Sequence, residues 1–412
     1  MRIPRVESTG PGQPALNRPR VRPTGLVLTG GGARAAYQVG VLAAVLEILD
    51  PDGRAGFVNP FPIICGTSAG AINAAALACR AHTPHRAVAR MRKLWESLQT
   101  SMVYRADASS LARTGVRWLG LLSLGWMLAG RNDKRPRSLL DNSPLAELLA
   151  RTVNFHRLQA NLSHGFVSAL AVTASGYTSG EHLTFYQAGR PIDPWHRFLR
   201  RAVPTPITVD HLLASSAIPF VFPARAVRVQ GQVEWCGDGS MRQLAPISPA
   251  IHLGADRVLV VGTGYRDDTH PEERHQDPPY PSLAQVAGHA MSSIFLDSLA
   301  VDVERLERTN ALLEHADLPE GAATRRVDVL TLTPSRSLDQ LALEHLQDLP
   351  SEARTLFRVL GVSSDPDRPG GGALMSYLLF EAGYTRRLIE LGYADTMRRI
   401  DEVTRFFQEA RA

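Results

Sequence analysis

Twice before Ala81 the chain runs from a short apolar stretch into a glycine-rich turn and out into a helix of small residues. The first instance is Gly25-Leu-Val-Leu-Thr29, then Gly30-Gly31-Gly32, then Ala33 to Leu49. The second is Phe61-Pro-Ile-Ile-Cys65, then Gly66-Thr-Ser-Ala-Gly70, then Ala71 to Arg80. A five-residue strand with no polar alternation is covered on both faces, as parallel strands are, and parallel strands need crossover helices. The pattern predicts an α/β sheet with helices on both sides.

Further strands are expected at 166–172, 182–186, 225–236 and 257–262, with helices at 83–98, 143–153, 195–203 and 247–253. A polar, proline-rich stretch at 265–282 reads as a linker. Beyond it the pattern turns mainly helical, over 283–314, 337–349, 351–360 and 374–410, with one strand at 326–332 returning to the sheet. The organisation expected is therefore a flexible Arg/Pro-rich arm (1–24), an α/β domain (25–264), the linker (265–282) and a helical C-terminal region (283–412). The arm has no apolar core of the kind a secretory signal needs.

Composition narrows the function classes. A chain that is 44% hydrophobic and 21% charged is globular rather than wholly disordered. No run of eighteen apolar residues is present, which argues against a membrane-spanning helix. The cysteines, Cys65, Cys79 and Cys236, form no CxxC, which argues against a disulfide framework or a thiolate zinc site and suits a reducing, cytoplasmic compartment. Net charge is +5, yet only Lys93 and Lys134 of the 45 basic residues are lysine. That arginine bias reflects a GC-rich genome more than a nucleic-acid surface, since no basic stripe is interleaved with aromatics. A mildly basic surface also suits anionic lipid headgroups.

Gly66-Thr67-Ser68-Ala69-Gly70 fits the nucleophile elbow, in which small flanking residues allow a sharp strand-to-helix turn to hold Ser68 in a strained conformation. A tight turn with a capping serine is the structural alternative. Gly30-Gly31-Gly32-Ala33-Arg34-Ala35 satisfies a dinucleotide fingerprint, but that function wants an acidic residue ending the second strand, and here Asp50 and Asp52 lie in the turn that ends the first helix. The same loop also reads as an oxyanion hole built from the amides of Gly31, Gly32 and Arg34, or as a purely structural turn. None of the thirteen histidines stands in a diagnostic setting: His82 and His85 flank a helix boundary, His211 precedes an apolar helix, and His270 and His275 lie in the polar break. Among carboxylates, Asp52-Gly53 reads as a turn. Asp238-Gly239 follows a strand on which Trp235 and Cys236 are expected to be buried, which would hold a carboxylate at the sheet edge; alone it would read as a β-turn.

Taken together and in this order, Gly30-Gly-Gly-Ala-Arg34, Gly66-Thr-Ser-Ala-Gly70 and Asp238-Gly-Ser240 resemble the patatin-like phospholipase family. The likeness continues in Ala214-Ser-Ser-Ala-Ile-Pro-Phe-Val-Phe-Pro223 and through Leu244 to Gly262. Ser376-Tyr-Leu-Leu-Phe380 and Leu388-Ile-Glu-Leu-Gly-Tyr-Ala-Asp395 are similar to a tail found on some bacterial members. Two positions depart from the family pattern, Ala35 and Ser240, where glycine, or glycine and alanine, are usual; neither removes a reacting group.

The resemblance implies a patatin-type three-layer α/β/α fold with a central, mostly parallel sheet and a helical C-terminal extension. It implies hydrolysis of acyl esters, of phospholipids or related lipids, by a Ser68–Asp238 dyad without histidine. The oxyanion hole would be Gly31, Gly32 and Arg34, with Gly30, Gly66, Gly70 and Gly239 shaping the loops and no metal or cofactor. A member that binds lipid without catalysis, or needs an activator, is the alternative. The Arg34 side chain is expected in a structural ion pair rather than on a phosphate. Trp118 to Ala129, flanked by arginines and Lys134, reads either as a buried helix or as an interfacial segment. On the second reading, 113–137 would contact the inner membrane face peripherally. Nothing in the sequence sets an oligomeric state.

Overall fold

The computed structural model describes residues 22–105, 138–265, 280–315, 324–365 and 370–408. The segment 113–137, nearly all of the arm and most of the expected linker lie outside those residues.

The first apolar run forms β1 (Thr24–Leu28), which passes through a 3-10 turn at Gly32–Ala35 into α1 (Ala36–Leu49). The second forms β2 (Ile63–Thr67) and enters α2 (Ala69–Ala78), followed by α3 (Pro84–Glu96). After α4 (Ser143–Thr152) and α5 (Phe155–Ser163) come β3 (Ala169–Gly176), β4 (His182–Ala188), β5 (His196–Arg197) and β6 (Arg200–Pro204). Helix α6 (Val209–Ser215) leads to the hairpin β7 (Arg225–Val229) and β8 (Gln232–Asp238), then α7 (Ser248–His252) and β9 (Arg257–Val261). The rest is α8 (Leu283–Phe295), α9 (Asp297–Leu313), β10 (Asp328–Leu332), α10 (Leu338–Glu344), α11 (Ser351–Val359), α12 (Gly372–Leu378), α13 (Ala382–Arg398) and α14 (Ile400–Gln408).

The strands form one sheet in the order β10-β9-β1-β2-β3-β4-β6-β5, with β8 also paired to β3 and β7 to β8. From β10 to β3 every neighbour is parallel; β4 is antiparallel to β3. Strands β1, β2, β3 and β9 are buried along their whole length, which is why their sequences lack polar alternation. Leu26, Leu28 and Ile64 face an apolar layer that includes Val39 and Leu42 of α1 and Ala74 of α2. Val27, Ile63 and Cys65 face the opposite layer, with Ala250 of α7 and Leu299 of α9. The expected three-layer arrangement with a mostly parallel sheet is what forms.

Residues beyond the linker are built into this core. Strand β10 extends the sheet past β9, and Tyr377, Leu388, Ile389 and Phe407 share the apolar layer over α1. Among the described residues two helical stretches, Gly32–Leu49 and Leu283–Leu313, would by length and composition suffice to cross a bilayer. The first lies largely buried against the sheet, and the second is broken at Leu296 into α8 and α9.

The helix expected at 195–203 is instead the pair β5 and β6. Trp195, Phe198, Leu199, Ala202 and Val203 mimic helical spacing, but β6 finds a partner in β4, with His182 opposite Arg200 and Phe185 opposite Val203. Pairing buries Ala202 and Val203, and tertiary contact overrides the local period. The single strand expected at 225–236 is a hairpin, turned by Gln230 and Gly231 at φ 51° and 84°, the left-handed pair that a two-residue hairpin requires. Trp235, expected to be buried, is 49% exposed, because alternation along β8 turns Cys236 inward and Trp235 out.

Candidate active site

Ser68 links β2 to α2 with φ 55° and ψ −130°. A non-glycine residue held there stores about 1–3 kcal/mol of strain, and its surroundings leave no room to relax. A Cβ on Gly66 would stand 2.5 Å from the Gly70 carbonyl oxygen, and one on Gly70 would stand 2.3 Å from that of Leu28. Both glycines are therefore required for α2 to start this close to β1 and β2. The Ser68 side chain makes no capping hydrogen bond to α2, which removes the capping-serine alternative. Its hydroxyl stands at the positive end of the α2 dipole, where developing negative charge is favoured.

Sheet register brings Asp238 to the same place. Along one edge of β3, β2 pairs up to Thr67 opposite Thr173. Strand β8 arrives antiparallel from the other end, with Asp238 opposite Ala174. The last residue of β2 and the last residue of β8 thus occupy successive positions on one strand edge, so Ser68 and Asp238 meet although 170 positions separate them in the chain. Beneath them the Thr67 and Thr173 hydroxyls are 2.7 Å apart, and Gln243 Nε2 donates to Thr67 Oγ1 at 2.7 Å.

The Asp238 carboxyl is fully buried. Burial pushes its pKa up to about 6; the approaching Ser68 hydroxyl and the Ser240 amide and hydroxyl oppose that rise. Oδ1 accepts from the Ser240 N–H at 2.9 Å, while Oδ2 is buried with no hydrogen-bond partner. One short segment braces both residues: Ser215 Oγ accepts from the Ser68 N–H at 2.8 Å, and the Ala217 carbonyl accepts from the Asp238 N–H at 2.9 Å.

The glycine loop closes the site from the β1 side. Gly32 has φ +56°, and a Cβ there would lie 2.1 Å from the Tyr377 carbonyl oxygen in α12. Gly30 packs where a Cβ would meet Ser240 Oγ at 2.5 Å, and Gly239 where one would meet the Thr173 carbonyl at 2.4 Å. Among the described residues the N–H groups of Gly31 and Gly32 have no hydrogen-bond partner. The Arg34 N–H differs from expectation: it donates to the Gly31 carbonyl at 3.1 Å, a bond that closes the 3-10 turn and takes this amide out of the set of free donors. The Arg34 side chain is an ion pair as expected. It is bonded to Asp339, donates from Nε to Ser376 Oγ at 2.8 Å and lies 4.0 Å over the Tyr377 ring.

Gly32 and Ser68 form one end of a cavity of about 350 Å³ whose walls include Ile72, Met91, Trp95, Leu149, Ile218 and Phe222. Its size is that of an ordinary small-molecule site, and its lining is mostly apolar. The histidines named from sequence that fall among the described residues are engaged elsewhere. His211 caps α6, His85 is 3.0 Å from Asp50 and His82 is 3.1 Å from Asn161. His182 and His211 are pushed down to about 4 by burial and stay neutral. His270 and His275 lie outside the described residues. Among the described residues no imidazole bonds to Ser68 or Asp238, and no cluster of His, Cys, Asp or Glu is placed to hold a metal ion. Asp50, the acidic residue closest in sequence to the dinucleotide pattern, sits at the far end of α1, about 20 Å of helix from the glycine loop, bonded to Arg54 and His85.

The family model for patatin-like phospholipases matches residues 26–251. The chain belongs to the patatin-like phospholipase family. No curated protein matches it. Among solved structures, this patatin-like chain is similar to VipD from Legionella pneumophila, at 13% identity over 93% of this chain and 67% of that one, with a TM-score of 0.35. It is similar also to human GIVD cytosolic phospholipase A2 in complex with methyl gamma-linolenyl fluorophosphonate, at 13% identity over 95% of this chain, with a TM-score of 0.45; it spans 60% of the human chain.

Three features of the patatin-like site had no role assigned from sequence. Ser215 sits in a quoted motif but carries no spacing that would reveal its bond to Ser68. The Thr67–Thr173–Gln243 network follows only from sheet register. The support of Gly32 by Tyr377 joins positions too far apart in the chain for any local pattern to connect.

Proposed function

We infer that this protein is a serine lipid acyl hydrolase working through Ser68 and Asp238. The observation that carries the reading is the buried, unpartnered Asp238 Oδ2 beside a strained serine at a helix N-terminus. Ser68 Oγ attacks the ester carbonyl carbon while its proton passes to Asp238 Oδ2. Negative charge on the former carbonyl oxygen is met by the Gly31 and Gly32 amides, where one such donor is typically worth about 3–4 kcal/mol. Collapse breaks the ester C–O bond, and Asp238 returns the proton to the leaving alkoxide. Water, deprotonated by Asp238, then attacks the acyl-enzyme, releasing the fatty acid and restoring Ser68. The apolar cavity would hold the acyl chain with its carbonyl at Gly32 and Ser68.

Ser68→Ala and Asp238→Asn are each expected to lower hydrolysis of a p-nitrophenyl acyl ester by about 10⁴-fold or more with the fold intact by circular dichroism. A fluorophosphonate should label wild type at Ser68 and leave Ser68→Ala unlabelled. Turnover of either variant at the wild-type rate would exclude the mechanism.

A further inference from the structure

A second surface lies beside the base loop, outside the acyl cavity. The β5–β6 turn presents Phe198 at 88% exposure and Leu199 beside it; Leu244, just after the Asp238 loop, is 75% exposed. The two are joined physically: Leu244, Arg197, Arg200 and His182 line one shallow notch, and the Leu199 carbonyl accepts from the His182 N–H at 2.8 Å. The apolar surface continues to Tyr177, whose hydroxyl is 3.5 Å from Met241 Sδ and whose N–H donates to the Trp235 carbonyl at 2.7 Å. Tyr177 and Trp235 are both about half exposed.

Charge on this surface is mainly positive. Glu181 is already paired with Arg201 at 2.8 Å and with His196 at 3.4 Å. Arg197 donates to the His196 carbonyl; Arg200 lies within electrostatic reach of the Asp302 carboxyl and helps hold its pKa down against burial, and Arg242 is exposed beside Leu244. Exposed aromatic and aliphatic tips bordered by guanidinium groups match a lipid–water interface, where the tips enter the acyl boundary and the arginines meet phosphate. With His182 opposite both Ser175 of β3 and Arg200 of β6, the β5–β6 turn lies at the end of the sheet that carries Ser68, while its notch, walled by Ser248 and Pro249, faces the layer opposite the acyl cavity.

We propose that Phe198, Leu199 and Leu244, ringed by Arg197, Arg200 and Arg242, form a docking surface for an anionic phospholipid bilayer. The proposal deepens the acyl-hydrolase reading and rests on it for the purpose of docking, but its primary test needs no catalysis. Full-length protein would be sedimented with vesicles of phosphatidylcholine containing phosphatidylglycerol and with vesicles of phosphatidylcholine alone. Wild type is expected to prefer the anionic vesicles and to be released by salt. Arg197→Gln/Arg200→Gln and, separately, Phe198→Ser/Leu244→Ser should each weaken partitioning by about tenfold or more. Hydrolysis of lipid in those vesicles should fall in parallel, while hydrolysis of soluble p-nitrophenyl butyrate stays within about twofold of wild type. Equal binding to neutral and anionic vesicles, or unchanged binding by both double variants, would overturn the proposal, including the case in which this surface serves a protein partner. Failure of wild type to hydrolyse the soluble ester would instead count against the acyl-hydrolase reading and leave the sedimentation result standing.

Discussion

A carboxylate in water, with a pKa near 3.8, is a poor base for a serine hydroxyl; one buried beneath β3 and raised to about 6 is better matched to neutral pH. The same burial that prepares Asp238 opposes folding. Its pKa is higher in the folded chain than in the unfolded one, so between about pH 4 and 6 the folded state binds more protons and stability falls as pH rises. Above pH 6 the full penalty applies, on the order of 3 kcal/mol. Asp238→Asn keeps an oxygen for the Ser240 N–H and removes the charge. It is therefore expected to be inactive yet more stable than wild type at pH 7, by up to about 3 kcal/mol in urea denaturation, with the difference vanishing below pH 4. Wild-type kcat/KM should rise through a single ionisation near pH 6, since His182 and His211 are held neutral well below that range. A half-maximum near pH 4, or an Asp238→Asn protein no more stable than wild type at pH 7, would contradict this account. At this scale Ser68 announced itself through its glycine-flanked turn, whereas Asp238, alone a β-turn aspartate, was picked out only by the resemblance that joins it to the two glycine motifs. Ser215 and Ser240 were quoted in motifs, but their bonds to Ser68 and Asp238 were not legible, because a single hydrogen bond imposes no spacing on its neighbours.

Elements were legible where local pattern and tertiary demand agree. The buried parallel strands declared themselves through apolar runs, and the two glycine turns through their position between strand and helix. The stretch 195–203 misled because its apolar spacing serves a helix and an edge hairpin equally well, and pairing with β4 decides between them. The crossing of α1 with α13 had no signal at all, although Gly40 and Gly392 create it. A Cβ on Gly40 would lie 2.0 Å from the Ile389 carbonyl oxygen, and one on Gly392 would lie 2.2 Å from that of Tyr37. Two effects compete in Gly40→Ala. Helix propensity favours alanine by about 1 kcal/mol, whereas overpacking costs about 1–3 kcal/mol or more. The clash is with backbone, which has no rotamer to yield, so overpacking wins. Gly40→Ala should lose about 2 kcal/mol or more in net stability, read as a lower denaturation midpoint with unchanged slope; a stabilised variant would show that the helices are free to separate.

At the scale of the whole molecule, the helices after the linker help to hold the glycine loop in place. Asp339 of α10 and Ser376 of α12 hold the Arg34 side chain, the Tyr377 carbonyl packs against Gly32, and the Tyr37 hydroxyl of α1 donates to Asp395 of α13 at 3.2 Å. An α/β segment with a linker and a helical tail reads from composition as separable parts, because composition marks the polar break but not what packs across it. The shared apolar layer joins Leu26 and Val39 to Leu388 and Phe407, so removing the tail would strip α1 of its cover and expose a face that no other described element fills. The full chain is therefore expected to unfold in one calorimetric transition, with a van't Hoff to calorimetric enthalpy ratio of about one. A fragment ending at residue 282 should be insoluble, or bind hydrophobic dye without hydrolysing p-nitrophenyl butyrate, since its glycine loop has lost both the Tyr377 contact and the anchor for Arg34. Two resolved transitions, or a soluble fragment with wild-type turnover, would mean that the loop holds its geometry without the C-terminal helices.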